Sequence, residues 1–122
     1  MDKIKIAIID DETEYVNDLA KGLEILGYEV KKAVSGVEAI DVIAKDKPDI
    51  ALCDYKLGDM DGTQIIEKTK FASPNTVYIM VTAYFDESFE DVFKKAGASN
   101  VIYKPVQLME LDSVIKAALK KA

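Results

Sequence analysis

The chain has 122 residues, 49% hydrophobic and 31% charged, which fits one soluble domain with one core. A net charge of −6 opposes binding to a nucleic-acid backbone, one cysteine rules out an internal disulfide, and no apolar stretch is long enough to cross a bilayer. There is no histidine and all 16 basic residues are lysine, so Ser–His and Cys–His pairs, imidazole zinc sites and arginine forks on phosphate are excluded.

Charged residues run straight into the first apolar segment without a secretory or transit pattern, so a reducing cytoplasm is the expected location. Residues 4–9 read as a strand. Val16, Leu19, Ala20, Leu23 and Leu26 give residues 14–26 a helical stripe, with Gly27 where a helix-ending glycine belongs. Residues 29–34 alternate among lysines and suit a strand near the sheet edge. Ser35 caps a helix over 37–45, and Pro48 follows it. Residues 49–53 form the third strand, 55–60 a loop, and Asp61 opens a helix to about residue 71.

Residues 76–81 are apolar and β-branched, a buried strand. Asp86 and Glu87 open a helix with Phe89, Val92, Phe93 and Ala96 inward, and Gly97 ends it. Residues 100–103 are the last strand, and Leu108, Leu111, Ile115 and Leu119 face inward from a final helix ending near Lys121. Five strand–helix units with right-handed crossovers predict a (βα)5 doubly wound parallel sheet with helices on both faces.

Four of the strands end in residues that handle phosphate or metal: Asp10 and Asp11, then Asp54, then Thr82, then Lys104 and Pro105. Ligands of open α/β sheets bind outside the carboxyl ends of the strands, so these residues converge if the strands are neighbours. Two carboxylates ~4 Å apart repel by ~4 kcal/mol at an effective dielectric of ~20. A hard divalent cation relieves this repulsion, and a lysine and a threonine at the same rim suit a phosphoryl group. The combination points to a metal-assisted aspartyl-phosphate site.

In the motifs Ile9, Asp10, Asp11, Glu12; Asp54 through Gly62; Val81, Thr82, Ala83; and Tyr103, Lys104, Pro105, the chain resembles the response-regulator receiver domains of two-component signalling. The resemblance covers nearly all of the chain and implies a single receiver domain over residues 1–122, with no output domain in it. It implies a flavodoxin-like sheet of order 2-1-3-4-5. Asp54 would accept a phosphoryl group from a sensor histidine kinase or a histidine phosphotransfer protein. Asp11 would bind Mg²⁺ (or Mn²⁺) directly, with Asp54, with Asp10 acting through metal-bound water and with the backbone carbonyl of Lys56. Lys104 would pair with the phosphate and, before phosphorylation, with Asp54. Thr82 would move to bond a phosphoryl oxygen, and Tyr103 would swing inward behind it, altering the surface offered to an unknown downstream protein. Such a domain is a switch rather than an enzyme, catalysing only its own phosphorylation and autodephosphorylation. The Lys104–Pro105 peptide would be cis. Lys56 and Tyr84 would flank the path of attacking water, and Val106 stands where the family often has Phe.

Other readings of the same residues stand beside these. Asp10, Asp11 and Glu12 suit a helix cap and first turn, and Asp59 and Asp61 suit turn punctuation outside the site. Tyr103 also reads as a fixed, half-buried strand aromatic, Cys53 as a buried filler, and the Phe89 and Phe93 stripe as core. A phosphatase of the haloacid dehalogenase class would want Asp-x-Asp after the first strand, where Asp10 is followed two residues on by Glu12. A flavin-binding flavodoxin would want a hydroxyl- and glycine-rich loop there.

Overall fold

The computed structural model describes residues 3–84 and 86–121. Strands β1 (Lys5–Ile9), β2 (Glu29–Ala33), β3 (Ile50–Cys53), β4 (Val77–Thr82) and β5 (Ala98–Tyr103) alternate with helices α1 (Thr13–Ile25), α2 (Gly36–Asp46), α3 (Gly62–Thr69), α4 (Glu87–Ala96) and α5 (Leu108–Lys121). All pairings are parallel and the order is β2-β1-β3-β4-β5. The reversal of direction from β1 leaves the carboxyl ends of β1 and β3 adjacent, with β4 and β5 beyond, and opens a crevice there.

β1 and β3 are buried on both faces, which is why their sequences are continuous apolar runs rather than alternating ones. Ile6, Ile8, Leu52, Ile79 and Ile102 pack on one face with Val16, Leu23, Leu111 and Ile115 of α1 and α5. Ile9, Ala51, Cys53 and Met80 pack on the other with Ile43, Ile65, Ile66 and Phe93 of α2, α3 and α4. β2 is one of the two edge strands, and its lysines Lys31 and Lys32 are exposed. Tyr28 and Asp112 tie the start of β2 to α5 through a buried hydrogen bond donated by the phenol, and Lys116 holds the other carboxylate oxygen of Asp112 at 3.0 Å.

Local chemistry sets the helix starts. Ser35 accepts the Glu38 amide, Asp61 forms a capping box with Gln64, and Asp86 accepts the Ser88 amide. Gly27 and Gly97 take positive φ at the ends of α1 and α4.

Several expected boundaries shift. α3 stops at Thr69 rather than near residue 71, because the Thr69 hydroxyl bonds back to the Ile65 carbonyl and across to the Tyr78 phenol, and Phe71 is left exposed. β5 begins two residues early, at Ala98, through an irregular register beside Tyr78 and Ile79. Leu26 and Val92 do not face inward: Leu26 caps α1 at the surface, and Val92 is 48% exposed on α4.

The β3–α3 loop closes tightly beneath the end of β3. The Gly62 amide bonds the Tyr55 carbonyl at 2.7 Å, and a Cβ on Gly62 would stand 2.5 Å from the Asp54 carbonyl oxygen and 2.7 Å from Met80 Cε. Gly62→Ala therefore forces backbone apart, and we expect a loss of about 1–3 kcal/mol, read as a lower midpoint in urea unfolding. An unchanged midpoint would show that the loop has room to spare.

Candidate functional site

The sheet ladder continues past the strands into the site. The Asp10 amide bonds the Ala33 carbonyl at 3.1 Å, the Asp54 amide bonds Ile9 at 2.9 Å, and the Lys104 amide bonds Thr82 at 2.8 Å. Asp10, Asp54 and Lys104 are thereby each fixed to the strand next door. Carboxylate oxygens of Asp10, Asp11 and Asp54 all lie within 4.8 Å of one another, with Asp10 buried, Asp54 partly buried and Asp11 exposed. An all-oxygen set open to water on the Asp11 side fits a hard divalent cation such as Mg²⁺.

One ammonium faces these carboxylates. Lys104 Nζ donates to Asp10 Oδ2 at 2.6 Å and stands 3.7 Å from Asp54 Oδ2 and 3.7 Å from Glu12 Oε1. The expected pairing of Lys104 with Asp54 is thus present only as the longer contact, and the hydrogen bond goes to Asp10. Asp10 is the more deeply buried carboxylate, and its Oδ1 already accepts the Glu12 amide, so its Oδ2 gains most from a charged donor. Asp54 Oδ1 accepts the Tyr55 amide at 2.8 Å, leaving Oδ2 directed toward Lys104.

Burial, then the charge of Asp10, push the Asp54 carboxyl up to about 6, against the opposing pull of Lys104 and the Tyr55 amide. Burial alone would lower the Lys104 ammonium, but the bond to Asp10 and the charges of Asp54 and Asp10 outweigh it and hold it above its ordinary value. Burial also raises the Tyr15 phenol, and the Lys104 ammonium sits 4.7 Å from the centre of that ring.

Thr82 and Tyr103 are register partners on β4 and β5. Thr82 is fully buried, and its hydroxyl oxygen accepts the Tyr84 amide at 3.1 Å. Tyr103 is half-buried, and its hydroxyl donates to Glu90 Oε1 of α4 at 2.6 Å; that bond first, and burial second, push the phenol up to about 12. Residue 85, within the loop expected to carry Thr82 toward the site, lies outside the described residues. Val101, two residues earlier on the same face of β5, packs against the α4-side core. The Lys56 side chain is exposed, with its ammonium 4.6 Å from the centre of the Tyr84 ring. The Lys104–Pro105 peptide is cis.

Three participants were not legible in sequence. Glu90 is one acid among several at the start of α4. Tyr15 lies just before the stripe of α1, which begins at Val16. Tyr55 packs its ring 5.3 Å from Phe89 and 5.0 Å from Phe93, joining the residue after Asp54 directly to α4.

The sequence profile of the response regulator receiver domain matches residues 6–116. Sporulation initiation phosphotransferase F of Bacillus subtilis is 31% identical over 115 residues, covering 94% of this chain and 93% of that protein. A CheY-like response regulator receiver domain protein from Methanospirillum hungatei superposes with a TM-score of 0.91 at 36% identity, over 98% of this chain and 96% of that one. A Burkholderia pseudomallei response regulator, solved with a phosphorylated aspartic acid and a calcium ion, superposes with a TM-score of 0.89 at 26% identity, over 98% and 70%. The chain spans about half the length, 51%, of the mycobacterial response regulators MprA that it matches at 30% identity.

The raised Asp54 carboxyl makes a stability prediction for the metal-free protein. The folded state binds its proton more tightly than the unfolded chain, whose Asp titrates near ~3.9. Stability therefore falls as pH rises from about 4 through about 6, and the loss is complete above that window. Asp54→Asn removes the loss: we expect it to melt roughly 5 °C above wild type at pH 7.5, with the gap closing at pH 4.5. A gap of the same size at both pH values would show that ionised Asp54 is not repelled by its neighbours.

Proposed function

The chain belongs to the response regulator receiver domain family, and on that premise we propose how its residues perform the phosphorylation-controlled switching of such a domain. Receiver domains take their phosphoryl group from histidine kinases; for this chain the immediate donor is a phosphohistidine on a sensor kinase or on a phosphotransfer protein. The observation that carries the reading is Asp54 itself. It stands at the end of a central strand, with one oxygen held by the Tyr55 amide and the other facing Lys104, beside two further carboxylates.

Asp54 Oδ2 attacks phosphorus, the phosphorus–nitrogen bond to the donor imidazole breaks, and the departing imidazole takes up a proton. Asp11, Asp54, Asp10 through water, and the Lys56 carbonyl would hold Mg²⁺ or Mn²⁺. That cation, when bound, neutralises the carboxylates and polarises the incoming phosphoryl group. Lys104 has only to turn from Asp10 toward Asp54, already 3.7 Å away, to bond a phosphoryl oxygen. Water attack on phosphorus later releases inorganic phosphate and restores the Asp54 carboxylate, and Lys56 and Tyr84 beside that path slow it. The domain catalyses nothing beyond these steps on itself.

Phosphorylation adds about −1.5 to −2 charge and new acceptor oxygens. The Thr82 hydroxyl is fully buried, so it reaches a phosphoryl oxygen only if the segment after β4 moves with it. Its register partner Tyr103 is anchored to α4 through Glu90. An inward swing of Tyr103 must break that bond, so the swing and the placement of α4 change together. The downstream partner reads this altered surface, and shifts the equilibrium by no more than its differential affinity for the two states.

Two experiments test this. Incubation with a small acyl phosphate and Mg²⁺ should add one phosphoryl group by mass spectrometry, removable by hydroxylamine and absent in Asp54→Asn or without metal. Hydroxylamine-resistant phosphate on Ser, Thr or Tyr would refute it. In the second, a fluorinated tyrosine at position 103 should change its ¹⁹F shift on adding beryllofluoride and Mg²⁺. Glu90→Gln should move the metal-free signal toward the activated position by weakening the anchor. An unmoved Tyr103 signal with the site occupied would make this residue a fixed strand aromatic.

A further inference from the structure

Asp59 stands at the tip of the β3–α3 loop, outside the carboxylate cluster. Its carboxylate reaches across to α2: Oδ1 accepts the Gly36 amide at 2.8 Å and Oδ2 accepts the Val37 amide at 3.0 Å. These two bonds hold its carboxyl below the ordinary range. The neighbouring Met60 is seated on the same turn, so closely that a Cβ on Gly36 would stand 2.2 Å from Met60 Cγ.

The cap is not needed merely to start α2. Ser35 already caps that helix at the Glu38 amide, and Glu38 returns a bond to the Val34 amide. What the Asp59 bonds add is a fixed position for the loop. The loop is a narrow hairpin: Lys56 bridges Asp61, the Leu57 amide bonds the Met60 carbonyl, and Asp61 is locked into the capping box of α3. With its base closed at Gly62 and its tip held on α2, the peptide planes between are held at both ends. Lys56 lies in that span, two residues after Asp54.

We propose that Asp59 is a positioning residue for the metal: by clamping the loop tip to the start of α2 it aims the Lys56 backbone carbonyl at the cation held by Asp11 and Asp54. The inference rests on the reading of Lys56 as a metal ligand. It makes α2, which carries none of the chemistry, part of the support of the metal site. A displacement of the amino-terminal turn of α2 is thereby linked to metal affinity, and by reciprocity metal binding stiffens that turn.

The test is Mg²⁺ titration by calorimetry of the metal-free, unphosphorylated protein, comparing Asp59→Ala with Ser35→Ala. Both remove a cap from the same helix and both should lower the melting temperature, but only the first frees the loop. Asp59→Ala should weaken Mg²⁺ binding by about tenfold, the scale of outer support residues at metal sites, while Ser35→Ala stays within about twofold of wild type. The ratio should persist in 0.5 M KCl, where loss of a distant charge is largely screened. Asp59→Asn, which keeps one acceptor, carries the same comparison if the alanine variant does not fold. Unchanged affinity in the Asp59 variant, equal weakening by Ser35→Ala, or a ratio that vanishes in salt would each overturn the proposal. If wild type itself binds no Mg²⁺, the metal reading beneath it fails first; if Asp11→Ala abolishes binding while Asp59→Ala leaves it intact, this inference alone fails.

Discussion

Three carboxylates share the carboxyl end of one sheet, two of them on backbone tied by hydrogen bonds to the neighbouring strands, and the rest of the site depends on that constraint. The backbones of Asp10 and Asp54 are placed by continuation of the ladder onto Ala33 and Ile9, and Asp11 follows Asp10 in the chain, so local bending relieves little of their mutual repulsion. Their carboxylate oxygens lie within 4.8 Å of one another, and two unit charges that close repel by roughly 3–4 kcal/mol at an effective dielectric of ~20, less where water reaches Asp11. One lysine, anchored through its own amide to Thr82, offsets part of this. The remainder is a standing demand for positive charge, which a divalent cation would meet.

The same constraint determines how the site is linked to the surface. Three chain segments that meet at the cluster continue into peripheral contacts. Lys104 follows Tyr103, whose hydroxyl rests on Glu90 of α4. Asp54 precedes Tyr55, whose ring packs on Phe89 and Phe93 of the same helix. The loop past Asp54 ends on the first turn of α2 through Asp59. α4 is thus held from two sides by residues adjacent in sequence to the site. It also buries little of its own surface beyond Phe93 and Ala96. A helix docked mainly through such contacts is suited to move when they change.

The strand ends were legible in sequence because parallel strands buried on both faces leave continuous apolar runs, and the residue after each run stands out. The caps at Ser35 and Asp61 were legible because capping is local. What was not legible depends on meetings between distant segments. The preference of Lys104 for Asp10 over Asp54 follows from which carboxylate lies deeper, and burial of neighbouring aspartates is not written in their spacing. Glu90 and Asp59 resemble ordinary surface acids until the fold brings Tyr103 and Gly36 to them. Val92 and Leu26 fit the helical period, yet the sheet and its neighbours cover less of each helix than the period alone suggests.

The fold concentrates negative charge, and we propose that a cation balances it at Asp11, the exposed carboxylate. Thermal unfolding without Mg²⁺ and with Mg²⁺ at about a hundredfold excess over its dissociation constant tests it directly in wild type and Asp11→Ala. The account predicts that Mg²⁺ raises the wild-type midpoint by several degrees, equivalent to ~2.7 kcal/mol at that excess. It predicts that Asp11→Ala starts at or above the metal-free wild type, having lost a repelling charge, and no longer responds to Mg²⁺. An Asp11→Ala protein that still gains the full wild-type increment would contradict the account.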